Sequence, residues 1–321
     1  MDSFYVVEKH WRADPSIRYS QRILYRSVSG CVFSLKIAMD VGCLGLVGDL
    51  AVMHSNEDRP QSRVFGEVAE IYHHYRPEYP DRLFEWILAT CGTSMSDLVI
   101  DVGCGTGKAS APLLEQGFEV LGLEPDPAMA GIARRELERF ELFSVDQSTL
   151  EEWTAAERLA GLVIAGQSWH WTNPDTRFQR AASILKPGGW LCVFWNRPEH
   201  EKQEFDAATD LIYAELAPEF DNKPFVVRLP GSKAAISADT PDEEISVSGL
   251  FGPVQQFQFE WEMIISTDHH VQNLRTQSDH RMLPTETRNE LIRRVAKTID
   301  DFGGSYKQTF TTHAYAAKLS V

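Results

Sequence analysis

The sequence predicts an α/β fold, a mostly parallel sheet with helices on both faces, and three features lead there. Apolar runs at 97–103, 119–124, 141–146, 161–168 and 189–196 alternate with amphipathic stretches at 107–116, 127–139, 149–158 and 174–185. Strand and helix in that rhythm imply parallel strands joined by crossover helices. The first run passes directly into a glycine-rich turn, LVIDVGCGTGKAS at 98–110. Beyond Asn196 two long alternating runs, VQQFQFEWEMII (254–265) and SYKQTFTTHAYAAKLS (305–320), read as antiparallel strands with a helix at 285–302 between them.

Taken in order, the elements follow from local chemistry. VFGEVAEIYHHYRPEYPDRLFEWIL (64–88) has helical spacing interrupted by Pro77 and Pro80, residues that break a helix by removing a donor and crowding the preceding turn. Asp126 before Pro127 marks a helix start, an acceptor for free N–H groups followed by a residue suited to the first turn. KPGGW (186–190) reads as a helix stop and a tight turn into a buried strand. A helix at about 200–216 leads into a Pro/Gly-rich stretch that runs through residue 253.

The 321 residues suffice for one large α/β domain or two small ones. Net charge is −15, from 46 acidic and 31 basic residues, without a Lys/Arg cluster to offset it. That balance repels a phosphate backbone and speaks against nucleic acid as partner. Five scattered cysteines without a C-x-x-C pair fit reduced thiols in a cytoplasmic protein and offer no zinc site. His73 and His74 lack an acid or Cys at metal spacing, so no metal is expected. The most apolar run, at 31–53, carries Lys36, Asp40 and Asp49, which argues against a membrane span. Residues 1–55 read as an N-terminal extension, poorly ordered or foreign to the functional protein, with Met53 an alternative start. Residues 56–96 read as lid helices and 97–321 as the main domain, its 197–250 insertion shaping a pocket.

Asp-Val-Gly-Cys occurs twice, and spacing separates a site from an echo. At 101–107 the pattern is D-x-G-x-G-x-G; at 40–45, DVGCLG, Leu44 stands where the second glycine belongs. Glycine there allows a tight turn and close approach of a ligand, which a branched side chain obstructs. A phosphate loop fails because Val102 holds its first glycine position and Ala109 follows Lys108; a dinucleotide turn fails because the third glycine, Gly107, comes one residue early. Glu124, ending the next strand, offers a carboxylate to paired hydroxyls, and Met129 lies where a flat purine would rest.

The glycine pattern resembles motif I of class I S-adenosylmethionine-dependent methyltransferases. With YRPEYP, LGLEPDPAM, STLEEW, IAGQSWHWTNP and LKPGGWLCVFWN, the chain from about Phe65 onward is similar to the small-molecule branch related to trans-aconitate methyltransferases. The resemblance implies a Rossmann-like sheet of seven strands, mostly parallel, with a C-terminal antiparallel pair. It implies a cofactor, S-adenosyl-L-methionine, held by Asp101, Gly103, Cys104, Gly105, Thr106, Gly107, Glu124, Pro125 and Met129. Thr149 and Leu150 would border the adenine, and Ala165 and Gln167 the methionine end. Thr149 stands where many relatives carry Asp.

On the acceptor side the candidates are His170, Gln167, Arg76 and Tyr72. His170, between Trp169 and Trp171, is a general base, a pocket wall or a structural residue. Gln167 competes to orient the substrate. Arg76 would pair with an anionic acceptor, with the methionine carboxylate, or with Glu78 or Asp81 on a lid surface. Methyl transfer to a small molecule, at oxygen of a carboxyl or hydroxyl group, is the expected activity. N- or C-methylation, or an inactive nucleoside-binding module, are the alternatives.

Overall fold

A computed structural model describes residues 3–14, 17–28, 31–38, 68–154, 159–199, 203–218 and 241–320. They fall in two units, Met1–Ser55 and Asn56–Val321. The first holds a three-stranded antiparallel sheet in the order β1 (Ser3–Asp14), β2 (Ile17–Val28), β3 (Cys31–Ala38). The DVGCLG echo, the 54–63 linker, the first lid residues 56–67 and residues 200–202 and 219–240 of the 197–250 insertion lie outside the described residues.

The second unit begins with α1 (Ala69–Tyr75) and α2 (Asp81–Cys91), separated at the two prolines. Next come β4 (Leu98–Val102), α3 (Ser110–Glu115), β5 (Glu119–Leu123), α4 (Pro127–Glu136), β6 (Phe143–Asp146) and β7 (Ala160–Gly166). A 3₁₀ turn at Trp169–Trp171 precedes α5 (Arg177–Ile184), β8 (Leu185–Pro198), α6 (Asp206–Leu216) and α7 (Pro241–Val247). The chain closes with β9 (Gln255–Ser266), α8 (Thr267–Arg275), α9 (Ser278–Met282), α10 (Thr285–Asp301) and β10 (Ser305–Lys318).

One seven-stranded sheet runs β6-β5-β4-β7-β8-β10-β9, parallel up to β8 and antiparallel across β10 and β9. The expected fold class is therefore the observed one. Parallel strands covered on both faces require nearly continuous apolar runs, and every residue of β4 is buried. Alternation then divides the core. Ile100, Val163, Val193 and Trp195 face α5 and Phe251, while Val99, Ile164, Cys192 and Phe194 face α2 and α3. A further cluster joins α6, α8 and α10 to the far ends of β9 and β10.

Local sequence misled in three places. KPGGW is not a turn before a strand: β8 already starts at Leu185, and the extra residues are taken up as a register shift against Ala160 and Leu162. The expected helix at 149–158 is a turn at 151–152, its residues 155–158 lying outside the described set. The glycine-turn helix starts at Ser110 rather than 107, because positive φ at Gly107 (+86°) excludes helical geometry. The helix α7 had no clear sequence signal, whereas α8 and α9 fall in the helical stretch read between the two late strands.

Gln167, Glu124 and the glycine turn lie beyond the carboxyl ends of strands, with Asn196 near the end of β8, and β4 and β7 flank the point where chain direction across the sheet reverses. Ligands of open α/β sheets bind in that crevice. Below it, Arg177 joins α5 to α7: its Nη2 donates to Glu244 Oε2 (2.6 Å) and Nη1 to Trp169 O (3.3 Å). The guanidinium is 6% exposed, so removing its partner strands a charge. Glu244→Gln is expected to lower stability by about 3 kcal/mol, read from chemical denaturation.

Candidate active site at the carboxyl edge of the sheet

The glycine turn is held from β5. Gly103 and Cys104 donate their N–H groups to Leu123 O at 2.8 and 3.2 Å, and Gly107 N closes the turn on Cys104 O at 2.9 Å. All three glycines have positive φ, +65°, +58° and +86°. Two are needed for packing as well. A Cβ on Gly103 would meet Ser168 Cβ at 2.6 Å, and one on Gly107 would meet Leu137 Cδ1 at 2.6 Å. At Gly105 the nearest atom is Met129 Cε, 3.4 Å away. Gly105 is thus the glycine whose missing side chain leaves space over the turn. Cys104 is buried with its sulfur against Gly122, where a Cβ would lie 2.5 Å from it.

Two carboxylates meet beneath this turn. Asp101 is fully buried; Ser110 Oγ donates to its Oδ2 at 2.7 Å, while Oδ1 has no hydrogen-bond partner among the described residues. Burial pushes Asp101 up to about 7 against the Ser110 hydrogen bond, and Glu124 adds to the rise. Glu124 accepts from Gly105 N and Asp126 N, each at 2.9 Å. Burial raises it too, to about 7, although those two N–H groups favour its charged form. Each of its oxygens keeps a lone pair. Thr106 is 2% exposed, and its hydroxyl has no partner among the described residues. Asp126 caps α4 as expected, accepting from Ala128 N (2.8 Å) and Met129 N (3.1 Å) with Pro127 at the first position.

Helix α1, from the segment expected to form a lid, packs over this corner. Ala69 and Tyr72 of α1 pack on Met129 and Ile132 of α4. Burial raises the Tyr72 phenol, eased by Arg76 and reinforced by Glu124. Glu70 receives both Arg135 Nη1 (2.6 Å) and Nη2 (3.0 Å). On its other side the lid reaches α8: Tyr75 donates to Asp268 at 2.8 Å, and Arg76 Nε and Nη2 donate to Thr276 Oγ1 and O at 3.0 and 3.2 Å. Arg76 therefore pairs with neither Glu78 nor Asp81.

The residues expected beside the cofactor at the other strand ends, Thr149, Leu150, Ala165 and Pro125, offer mostly backbone. Thr149 Oγ1 accepts from Glu152 N (3.2 Å). Leu150 and Ala165 are at most 1% exposed, with side chains in the core behind the sheet. Pro125 is half-buried between Glu124 and the cap.

At the end of β7 the backbone is strained. Gln167 has φ +56°, unusual outside glycine. Its N donates to Phe194 O (2.9 Å) and its Nε2 to Asn196 O (3.0 Å). Asn196 is 3% exposed and itself links the lid to β10, donating to Glu78 O (2.9 Å) and accepting from Thr312 Oγ1 (2.7 Å). Ser168 Oγ donates to Val102 O, pinning β7 to β4. His170 Nδ1 receives the Trp195 indole N–H at 3.4 Å. Burial lowers His170 to about 4, with Arg177 contributing, so the ring is neutral near pH 7. An indole is donor only, which leaves the imidazole proton on Nε2.

The structure gathers Asp101, the glycine turn, Glu124, Met129 and Tyr72 in one corner, with Gln167 at the adjoining strand end. It sets Arg76 on Thr276 and His170 against Trp195. Ser110, Asn196, Thr276 and Tyr79 were not singled out from sequence. Ser110, Asn196 and Tyr79 stand in the stretches LVIDVGCGTGKAS, LKPGGWLCVFWN and YRPEYP, but nothing local marks them as partners in a site.

Residues 100–193 match the family described as Methyltransferase domain. An uncharacterized methyltransferase of Mycobacterium tuberculosis is 25% identical over 241 residues, 75% of this chain and 87% of that protein. A trans-aconitate 2-methyltransferase of Methylobacterium radiotolerans is 38% identical over 112 residues, 33% of this chain and 41% of its own. Among solved structures, a phosphoethanolamine N-methyltransferase of Haemonchus contortus in complex with S-adenosyl-L-methionine aligns with a TM-score of 0.47 at 12% identity, covering 100% of this chain and 69% of that one.

The two raised carboxyls make a prediction about stability. Between the ordinary carboxylate range and about pH 7 the folded protein holds protons that the unfolded chain has lost, so these groups cost stability as pH rises through 7. The depressed His170 and His270 act with the opposite sign at acid pH, so a comparison of variants isolates the effect. Asp101→Asn is expected to match wild type near pH 5 and to exceed it by on the order of 1–3 kcal/mol at pH 8, measured by denaturation without ligand.

Proposed function

We propose that this chain is an S-adenosylmethionine-dependent methyltransferase of class I fold that methylates a small molecule at oxygen, with a carboxylate as the acceptor. The residues at the glycine turn fit the cofactor. Asp101 Oδ1, buried and without a partner, suits the ammonium group; the spare lone pairs of Glu124 suit ribose hydroxyls. Gly105 and Met129 leave a surface for the adenosine, and the Thr106 hydroxyl is a further free polar group. When bound, S-adenosylmethionine supplies an electrophilic methyl group on a sulfonium.

His170 is the observation that carries the acceptor. Its Nδ1 lone pair faces Trp195, its proton sits on Nε2, and its basicity is held near 4. Such a ring donates a hydrogen bond and is a poor base at neutral pH. A hydroxyl acceptor would then lack a base, whereas a carboxylate arrives with its own negative charge and needs none, and positioning with exclusion of water can supply the rate. The 38% identity to a trans-aconitate 2-methyltransferase over 112 residues supports the same acceptor class. Gln167, held by Asn196, is the group we assign to orient the acceptor, and Arg76 and Tyr72 to close the lid. The buried thiols Cys91, Cys104 and Cys192 suit the cytoplasmic setting we propose.

Transfer of labelled methyl groups to a panel of carboxylates, phenols and amines tests the reading. Alkali-labile methyl esters are expected; label found only in amines would sink it. On the accepting carboxylate, His170→Gln is expected to lower kcat/KM by less than about tenfold, whereas loss of a general base costs roughly 10²–10⁴.

Cofactor binding has its own test. Calorimetry is expected to give one site for S-adenosylhomocysteine and none for NAD, with binding lost in Gly105→Leu. Ionised Asp101 is required, so affinity rises with pH, by about tenfold from pH 6 to pH 8. A flat profile would remove Asp101 from the ammonium site.

A further inference from the structure

Tyr79 stands in the link between α1 and α2, its ring set edge-on against Phe194 (4.9 Å, 89°) and Phe84 (6.3 Å, 83°). That seat carries the hydroxyl to the last residue of β7. A Cβ built on Gly166 would lie 2.7 Å from the Tyr79 oxygen, so glycine at this strand end makes room for the phenol. The position is the crevice between β4 and β7, in the same corner as Asp101 and Tyr72.

The hydroxyl makes no hydrogen bond among the described residues. Burial raises the phenol well above its ordinary value, with Tyr72 and Asp101 adding to the rise and Arg76 opposing it. It therefore keeps its proton at any working pH and is a standing donor. With its ring packed at the strand end and its O–H given no acceptor by the described residues, the hydroxyl is open to a ligand atom.

The neighbours specify that atom. Beside this free donor lies a free acceptor, Asp101 Oδ1. Arg76, the cation that acts on Tyr79, is engaged through Nε and Nη2 with Thr276. A lone carboxylate oxygen next to a lone O–H complements an α-amino acid zwitterion, whose ammonium seeks the first and whose carboxylate seeks the second.

We propose that the Tyr79 hydroxyl binds the carboxylate at the amino-acid end of the cofactor, beside the ammonium held by Asp101. This rests on the cofactor reading above and extends it. Tyr79 comes from the lid segment and not from the sheet, so the amino-acid end of the ligand is what the closed lid recognises. Arg76 is left to fasten the lid to α8.

Calorimetric titration of wild type and Tyr79→Phe with S-adenosylhomocysteine and with methylthioadenosine, which lacks the amino-acid end, tests this without an acceptor. Phe keeps the ring contacts with Phe194 and Phe84 and removes only the hydroxyl; circular dichroism and the thermal midpoint check the fold. S-adenosylhomocysteine is expected to bind about tenfold more weakly to the variant, as for loss of a hydrogen bond to a charged group, with methylthioadenosine unchanged. Equal loss for both ligands, or no loss for S-adenosylhomocysteine, overturns the proposal. Wild type binding methylthioadenosine as tightly as S-adenosylhomocysteine also overturns it while leaving the cofactor reading intact. Wild type binding neither ligand ends both.

Discussion

Two carboxyl groups buried side by side, Asp101 at the end of β4 and Glu124 just past β5, set the terms for everything around them. Both are pushed up to about 7 by desolvation, a cost that hydrogen bonds offset only in part. Ser110 serves Asp101; Gly105 N and Asp126 N serve Glu124. Glu124 thereby ties the glycine turn to the start of α4, and the turn must take the left-handed backbone that brings Gly105 N to it. Asp101 retains an oxygen that nothing in the described protein satisfies. Stability is surrendered at this corner, where an unpartnered carboxylate oxygen and spare lone pairs complement a cationic, hydroxyl-bearing group.

The lid completes the burial with contacts of a different kind. Tyr72 on Met129 is apolar and close, whereas Arg135–Glu70 and Tyr75–Asp268 are exposed. Exposed ion pairs contribute about 0–1 kcal/mol in water, so the lid is fastened by groups that exchange readily with solvent. The interior tie is the Asn196 network, which joins Glu78 O, Gln167 and Thr312. It couples the strained end of β7, through the Asn196 main-chain carbonyl, to the α1–α2 link, through the Asn196 side-chain amide.

How much was legible varies with the range of the interaction. The glycine turn, Glu124 and the Asp126–Pro127 helix start are local: each is encoded within a few residues and formed as read. The roles of individual glycines were not. Gly103 and Gly107 lack side chains because Ser168 and Leu137 occupy that space, which only packing reveals. KPGGW carries every signal of a turn, yet pairing with β7 draws it into β8 from Leu185 onward. Arg76 had acidic neighbours in sequence, but α8 brought it Thr276.

The sequence by itself determined the α/β class, the glycine turn after the first strand of the parallel sheet and the acid that ends the next strand, because a period of alternation and a glycine spacing are properties of adjacent residues. Only the tertiary structure decided which proton His170 carries, which partner holds Arg76, and that Tyr79 reaches the strand end at Gly166. Those depend on Trp195, Thr276 and Phe194, residues 25, 200 and 115 positions away. Tautomer, ion pairing and desolvation are set by whichever groups the fold packs together, and no local pattern records that choice.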